Sequence, residues 1–144
     1  MANVYVYSFE DTSLVINHPS VGSFSAYGTG IGSLAVAYTN DVTAHDVAAD
    51  LAVIVSKSVK KNGTITIDVL QTSELNTWLT KWANYIEAAP TSEFAITSCT
   101  IKNSTTGEQW NCTGVSHQKK SGGSFKSTAE TKQWVLMCAN MEQQ

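Results

Sequence analysis

A chain of 144 residues, 42% of them apolar, is long enough for a single domain with its own core and no need of disulfide staples. Its net charge of −3, its pI near 5.5 and its complete lack of arginine argue against a dedicated nucleic-acid binder, which carries a basic stripe. No run of roughly eighteen apolar residues is present, so a membrane-spanning helix is not expected.

Charged residues make up only 15% of the chain, and Ser, Thr and Asn fill the gap. A surface with so few charges is poorly protected against association, which suits a protein that ends up against other proteins. The opening MANVYVYSFEDTSL has neither a basic n-region nor a long apolar h-region. It reads as the true start of a protein that folds where it is made. Cys99, Cys112 and Cys138 are an odd number without a signal, so they are expected to be reduced thiols. The sequons at Asn62, Asn103 and Asn111 then carry no meaning.

In chain order, residues 3–8 and 12–17 read as short strands, with Pro19 and Gly22 closing the second. Leu34, Val36 and Tyr38 alternate with Ala35 and Ala37, a strand with one bulky and one small face. The run 51–55 is apolar throughout, as in a strand covered on both sides. A turn at 60–63 joins it to 64–71, where Ile65, Ile67 and Val69 face inward, and the two segments read as a hairpin.

One helix is expected over about 73–89. Leu75, Trp78, Leu79, Trp82, Tyr85 and Ile86 form a single stripe that should cover the open side of a sheet, while Asn76 and Glu87 fall on the other side. Ser73 is a suitable N-cap and Pro90 a stop. Strands follow near 94–102, 108–115 and 132–139. A turn centred on Thr105 and Thr106 sets Ile101 opposite Trp110 and Cys99 opposite Cys112. Residues 116–131 read as a flexible basic loop.

The search for chemistry returns little. Gly28, Gly30 and Gly32 do not have the dinucleotide spacing and read as a bend before a strand. His18, His45 and His117 are far apart, none at i+3 or i+4 from another histidine or a cysteine. His45, Asp46 and Asp50 resemble an acid–base set but sit in a presumed loop without a nucleophile motif. No enzyme activity, cofactor or metal is therefore expected. Lys119, Lys120 and Lys126 concentrate positive charge, as a solvated loop or a contact for an acidic partner.

Several stretches resemble the tail tube proteins of contractile-tailed bacteriophages. They are NVYVYSFEDTSLVINHPSVG, NDVTAHDVAADLAVIVSK, NGTITIDVLQTSELNTWL, APTSEFA and KQWVLMCANM. The similarity runs over nearly the whole chain through order and spacing, and AHDVAADLAVIVSK is its most particular piece. The resemblance implies a β-sandwich or partial barrel with one flanking helix, related to the tube of type VI secretion. It implies hexameric rings stacked into a tube inside a sheath, with baseplate and tail terminator proteins as further partners, in a virion tail assembled in the host cytoplasm. It also implies that a long loop between early strands reaches neighbouring subunits. Here that loop spans Asn40 to Asp50, with Asp41, His45, Asp46 and Asp50 as contacts, and Lys119 or Lys120 as partners on the neighbour. Six copies at −3 each total −18, and such a wall lets DNA slide through without specific binding. The competing expectation is a carbohydrate-binding β-sandwich that uses an exposed Trp110, which lacks the signal and paired cysteines of a secreted lectin.

Overall fold

Period-two alternation dominates the chain and most of it forms strands. The computed structural model describes residues 4, 6–26, 31–123 and 125–144. Its strands are β1 (Thr12–His18), β2 (Gly22–Ala26), β3 (Ile31–Tyr38), β4 (Thr43–Val47), β5 (Val53–Lys57), β6 (Gly63–Leu70), β7 (Thr97–Asn103), β8 (Gln109–Lys119) and β9 (Thr131–Gln143). The helix α1 (Glu74–Ala88) lies between β6 and β7. Seven strands form one antiparallel sheet in the order β2-β1-β7-β8-β9-β6-β3, and β4 and β5 form a separate hairpin. The large sheet curls into a half-barrel.

The concave side of that sheet holds the core. Every second residue of β1, β6 and β7 is buried there, among them Leu14, Ile16, Ile65, Ile67 and Cys99, and β9 adds Trp134, Leu136, Cys138 and Met141. The β7–β8 register sets Cys99 opposite Cys112 and Ile101 opposite Trp110, as the turn geometry requires. All three cysteines are free and buried on adjacent strands. Burial pushes the Cys99 thiol well above its ordinary range. A hydrogen bond with Cys112, helped by burial, does the same for Cys138.

Two glycines are fixed by geometry. Gly114 has φ +65, and a side chain there would stand 2.6 Å from the Ala139 Cβ on the paired strand. Both strands reverse their in–out alternation at this point, from Cys112 and Met141 to Val115 and Cys138. At Gly63 a side chain would collide with the Ala37 carbonyl oxygen and the tip of Met141.

The helix closes part of the concave side. The Ser73 hydroxyl caps it by accepting from the Leu75 N–H at 3.2 Å, and Glu74 occupies the positive end of its dipole. Leu75, Leu79, Trp82, Ala83 and Ile86 are buried. The Trp82 indole N–H donates to the Thr97 hydroxyl at 2.9 Å, and the Trp134 indole N–H donates to the Asn76 side-chain amide oxygen at 3.1 Å. Trp78 is half-buried and stacks on Trp82 at 6.2 Å, with Phe24 on its other flank at 6.3 Å. Tyr85 is 36% exposed and its hydroxyl donates to the Glu93 carboxylate at 3.2 Å, so it rims the core rather than filling it.

Other expectations change with the structure. Asn76 is buried, not solvated, because a buried indole N–H from β9 needs an acceptor at that point. Residues 51–55 do not pair with β6. The strand there is β5, its partner is β4, and the hairpin is exposed on both faces. β6 instead pairs with β3 and β9. The segment 40–50 is therefore part strand, at Thr43–Val47. Of the strand expected over 3–8, residues 3 and 5 lie outside the described residues, residues 4 and 6–8 form no strand and lead into a 3-10 turn, Phe9–Asp11, and β2 is an additional strand. β7 starts only at Thr97, after a second 3-10 turn at Thr91–Glu93, and β8 runs on to Lys119 into the presumed basic loop. Gly28 and Gly30 lie outside the described residues, and Gly32 sits at a register shift in β3.

Two histidines tie the helix end of the sheet together. His18 is fully buried; its Nδ1 accepts from the Ser20 and Val21 N–H groups, so Nε2 carries the proton donated to the Glu93 carbonyl oxygen at 3.0 Å. His117 Nε2 lies 2.7 Å from one Glu87 oxygen and Lys120 Nζ lies 2.7 Å from the other, which clamps β8 to the last turn of α1. The hydrogen bonds from Lys120 and His117 hold the Glu87 carboxyl below its ordinary value of 4.5.

Three measurements test this packing. Trp82→Ala is expected to cost about 3–5 kcal/mol in urea unfolding, and Trp82→Phe about 1–3 kcal/mol through the stranded Thr97 hydroxyl. Because the folded Glu87 pKa is lowered, its contribution is present above 4.5 and is lost as pH falls through the lowered value. Stability measured from pH 6 downward should therefore drop less in Glu87→Gln than in the wild type. Alkylation followed by intact mass should label three thiols after denaturation and almost none in the native protein at pH 8.

Candidate assembly surface

The strands of the half-barrel run between two distinct ends. At one end lie the start of α1, at Gln71–Ser73, and the 120–130 connection between β8 and β9; Gln71 N–H donates to the Glu130 carbonyl oxygen at 3.0 Å. At the other end β3 finishes at Tyr38 and β6 begins at Gly63, which pair with each other. The β4–β5 hairpin leaves and returns there.

Its base is fastened by three contacts. Thr39 N–H donates to the Asn62 carbonyl oxygen, the Asn40 side-chain amide donates to the Asn62 side-chain oxygen at 2.6 Å, and Ser58 N–H donates to the Val42 carbonyl oxygen. Five residues per strand then carry the arm about 17 Å outward. Alternation places His45, Val47, Val53 and Val55 on one face and Asp46 and Ile54 on the other. Val47, Val53, Ile54 and Val55 are each more than half exposed. A two-stranded ribbon with uncovered apolar faces is marginal in water.

The tip is tightly built. Leu51 N–H donates to the Ala48 carbonyl oxygen at 2.9 Å, and Ala52 N–H donates to the Asp50 carboxylate at 3.1 Å. Leu51 has φ +70 and is 81% exposed. A leucine is an expensive choice for a left-handed position that glycine or asparagine fills more easily.

The expected contact residues thus fall apart into two groups. Asn40 and Asp41 sit at the base of the arm, His45 and Asp46 in β4, and Asp50 at the tip. His45 and Asp46 point to opposite faces, so with Asp50 they form no convergent acid–base set. Lys119 and Lys120 lie at the far end of the sheet, and Lys120 is engaged with Glu87. Among the described residues no group of His, Cys, Asp and Glu is placed to hold a metal. Sequence reasoning missed Leu51 and the 53–55 run as surface, because an unbroken apolar run resembles a buried strand.

Two further features of the surface bear on association. Among the described residues β2 and β3 are the edge strands of the large sheet, with no strand on their outer sides. The convex face carries mainly Ser, Thr, Ala and Asn, with Asp68 bound to the Ser33 hydroxyl at 2.7 Å and Lys102 among its few charges. A cleft of about 260 Å³ at the arm end is lined by Phe9, Leu34, Val36, Ile101 and Trp110. Trp110 is half-buried in its wall, against Tyr38 at 5.6 Å, and does not form the exposed sugar platform that a lectin needs.

Comparison with known proteins agrees with this architecture. No curated protein matches the sequence. The anti-feeding prophage tube-terminating cap protein covers 100% of this chain and 93% of its own length at 11% identity, with TM-score 0.60. The sheath/tube terminator of an extracellular contractile injection system (PVC) covers 99% of each chain at 11% identity, with TM-score 0.62. A chain of the anti-feeding prophage baseplate covers 100% and 97% at 8% identity, with TM-score 0.63. At such identities these likenesses speak for the fold. The model of the bacteriophage PhiTE tail tube protein family matches residues 4–144, and the chain belongs to that family of structural tail tube proteins.

Proposed function

We propose that this tail tube protein forms hexameric rings, one domain of residues 1–144 per subunit, which stack into the tube of a contractile tail. The sheath surrounds that tube, and the baseplate and tail terminator proteins hold its ends. The protein is built into the virion tail in the host cytoplasm, needs no cofactor and catalyses nothing. DNA passes through the channel on ejection without specific binding.

The observation that carries this reading is the apolar β4–β5 arm, which a single copy leaves uncovered. Its cover is a neighbouring subunit, contacted through Asn40, Asp41, His45, Asp46 and Asp50. Lys119 and Lys120 stand on the receiving side. The edge strands β2 and β3 extend the sheet from one subunit to the next around the channel. The sparsely charged convex face, without an arginine, suits a wall past which phosphates must slide.

Native sizing and negative-stain electron microscopy of the purified chain test the proposal. Rings or tubes are expected, and a stable 15.5 kDa monomer at all concentrations would refute it. Asp46→Lys combined with Asp50→Lys should abolish tubes while leaving the circular dichroism spectrum unchanged. Tubes of wild-type length from that variant would remove the arm from the interface.

A further inference from the structure

Asn62 is the one asparagine of the chain that is followed by glycine. That pairing is chemically reactive. The backbone nitrogen of the next residue can attack the asparagine side-chain carbonyl carbon, and glycine has no Cβ to obstruct the approach. Here the glycine is not free to change, because a side chain at Gly63 would collide with the Ala37 carbonyl oxygen and the end of Met141. The close approach of β3 and of the core thus forces a reactive pair on the entry to β6.

What restrains the pair lies across the base of the arm. Asn62 is half-buried, and its side-chain oxygen accepts from the Asn40 side-chain amide at 2.6 Å. To react, the Asn62 side chain must swing back over its own backbone until its carbonyl carbon meets the Gly63 nitrogen. The bond to Asn40 holds it toward the segment that follows β3 instead. Asn103, the one asparagine followed by serine, is held harder: it is buried, donates to the Thr12 hydroxyl and accepts from the Thr105 and Thr106 N–H groups. The Asn40–Asn62 bond, by contrast, sits at the root of a marginal two-stranded ribbon, where local opening breaks it.

We infer that Asn62 is a site of spontaneous deamidation, and that the Asn40 side chain guards it. The Gly63 nitrogen forms a bond to the Asn62 side-chain carbonyl carbon, and the bond from that carbon to the amide nitrogen breaks. Ammonia leaves with the proton that Gly63 gives up. Water then opens the cyclic imide at either carbonyl, to aspartate or to isoaspartate, and both products carry a new negative charge at the base of the arm. Isoaspartate also lengthens the main chain by one methylene just before Gly63, where the fit against Ala37 and Met141 leaves no slack. The pairing of Gly63 with Tyr38 is then lost at the point where the arm is rooted. Asn40 is a positioning residue that keeps this reaction slow, and that role stands whether or not copies of the chain assemble.

Storage of the purified chain in mildly alkaline buffer, followed by peptide mapping by mass spectrometry, tests the site and the guard separately. Exchange of amide for carboxyl is expected at residue 62 ahead of every other asparagine, with isoaspartate among the products. Asn40→Ala should speed the native reaction roughly two- to tenfold, the worth of one net hydrogen bond. Asn40→Gln, which keeps a donor, should react at close to the wild-type rate. In urea the wild type and Asn40→Ala should react equally fast, because the guard exists only in the folded base. Asn62→Gln should suppress the reaction at this position, since glutamine must close a larger and slower ring. Deamidation that appears first at another asparagine, or at none, would overturn the site. Native Asn40→Ala that reacts no faster than the wild type, or Asn40→Gln that reacts as fast as Asn40→Ala, would overturn the guard.

Discussion

The structure depends on closing the concave side of a half-curled sheet. A seven-stranded sheet rolled part-way leaves a trough, and a trough lined with Ile, Leu, Trp and Cys is stable only when something covers it. The aromatic stripe of α1 supplies that cover. Burying two indoles creates a second demand, since each N–H needs an acceptor in a place without water. Thr97 answers for Trp82 and Asn76 answers for Trp134. These two bonds tie the helix to β7 and to β9, and so set its position along the trough as well as its depth.

The same closure is incomplete elsewhere, and the incompleteness has a pattern. The helix covers one end, and the other end keeps an open cleft and sends out an apolar arm. Among the described residues the outer sides of the two edge strands are unpaired, and the convex face bears few charges. A monomer built for solution normally blunts its edges and limits its apolar patches. Here both protections are missing among the described residues. The low charged fraction visible in the composition is the same property seen at lower resolution.

The cysteines and histidines, which invite chemical readings, serve packing instead. The three thiols lie on neighbouring strands inside the core, where burial holds Cys99 away from the thiolate form. His18 accepts at Nδ1 from two backbone N–H groups and bonds at Nε2 to the Glu93 carbonyl oxygen, and so fastens the β1–β2 turn to the Thr91–Glu93 turn. His117 and Lys120 share Glu87 and fasten β8 to the helix.

Local pattern was enough to read the β character, the helix with its cap and stop, and the β7–β8 register with Cys99 opposite Cys112. Each of these rests on interactions within a few residues, or on a turn short enough to dictate pairing. The order and spacing of quoted stretches was enough to suggest the tail tube family. Pairing across longer separations was decided by the tertiary structure alone. β6 chose β3 and β9 over the adjacent apolar run, because its alternating face completes the trough while the run 53–57 has no trough to enter. Asn76 went inside and Tyr85 stayed at the rim for a similar reason: a helical wheel gives the direction of a side chain, not which donor from a distant strand will be waiting there. The exposure of Leu51 was equally invisible, since an apolar residue looks the same in sequence whether its cover comes from its own chain or from another copy.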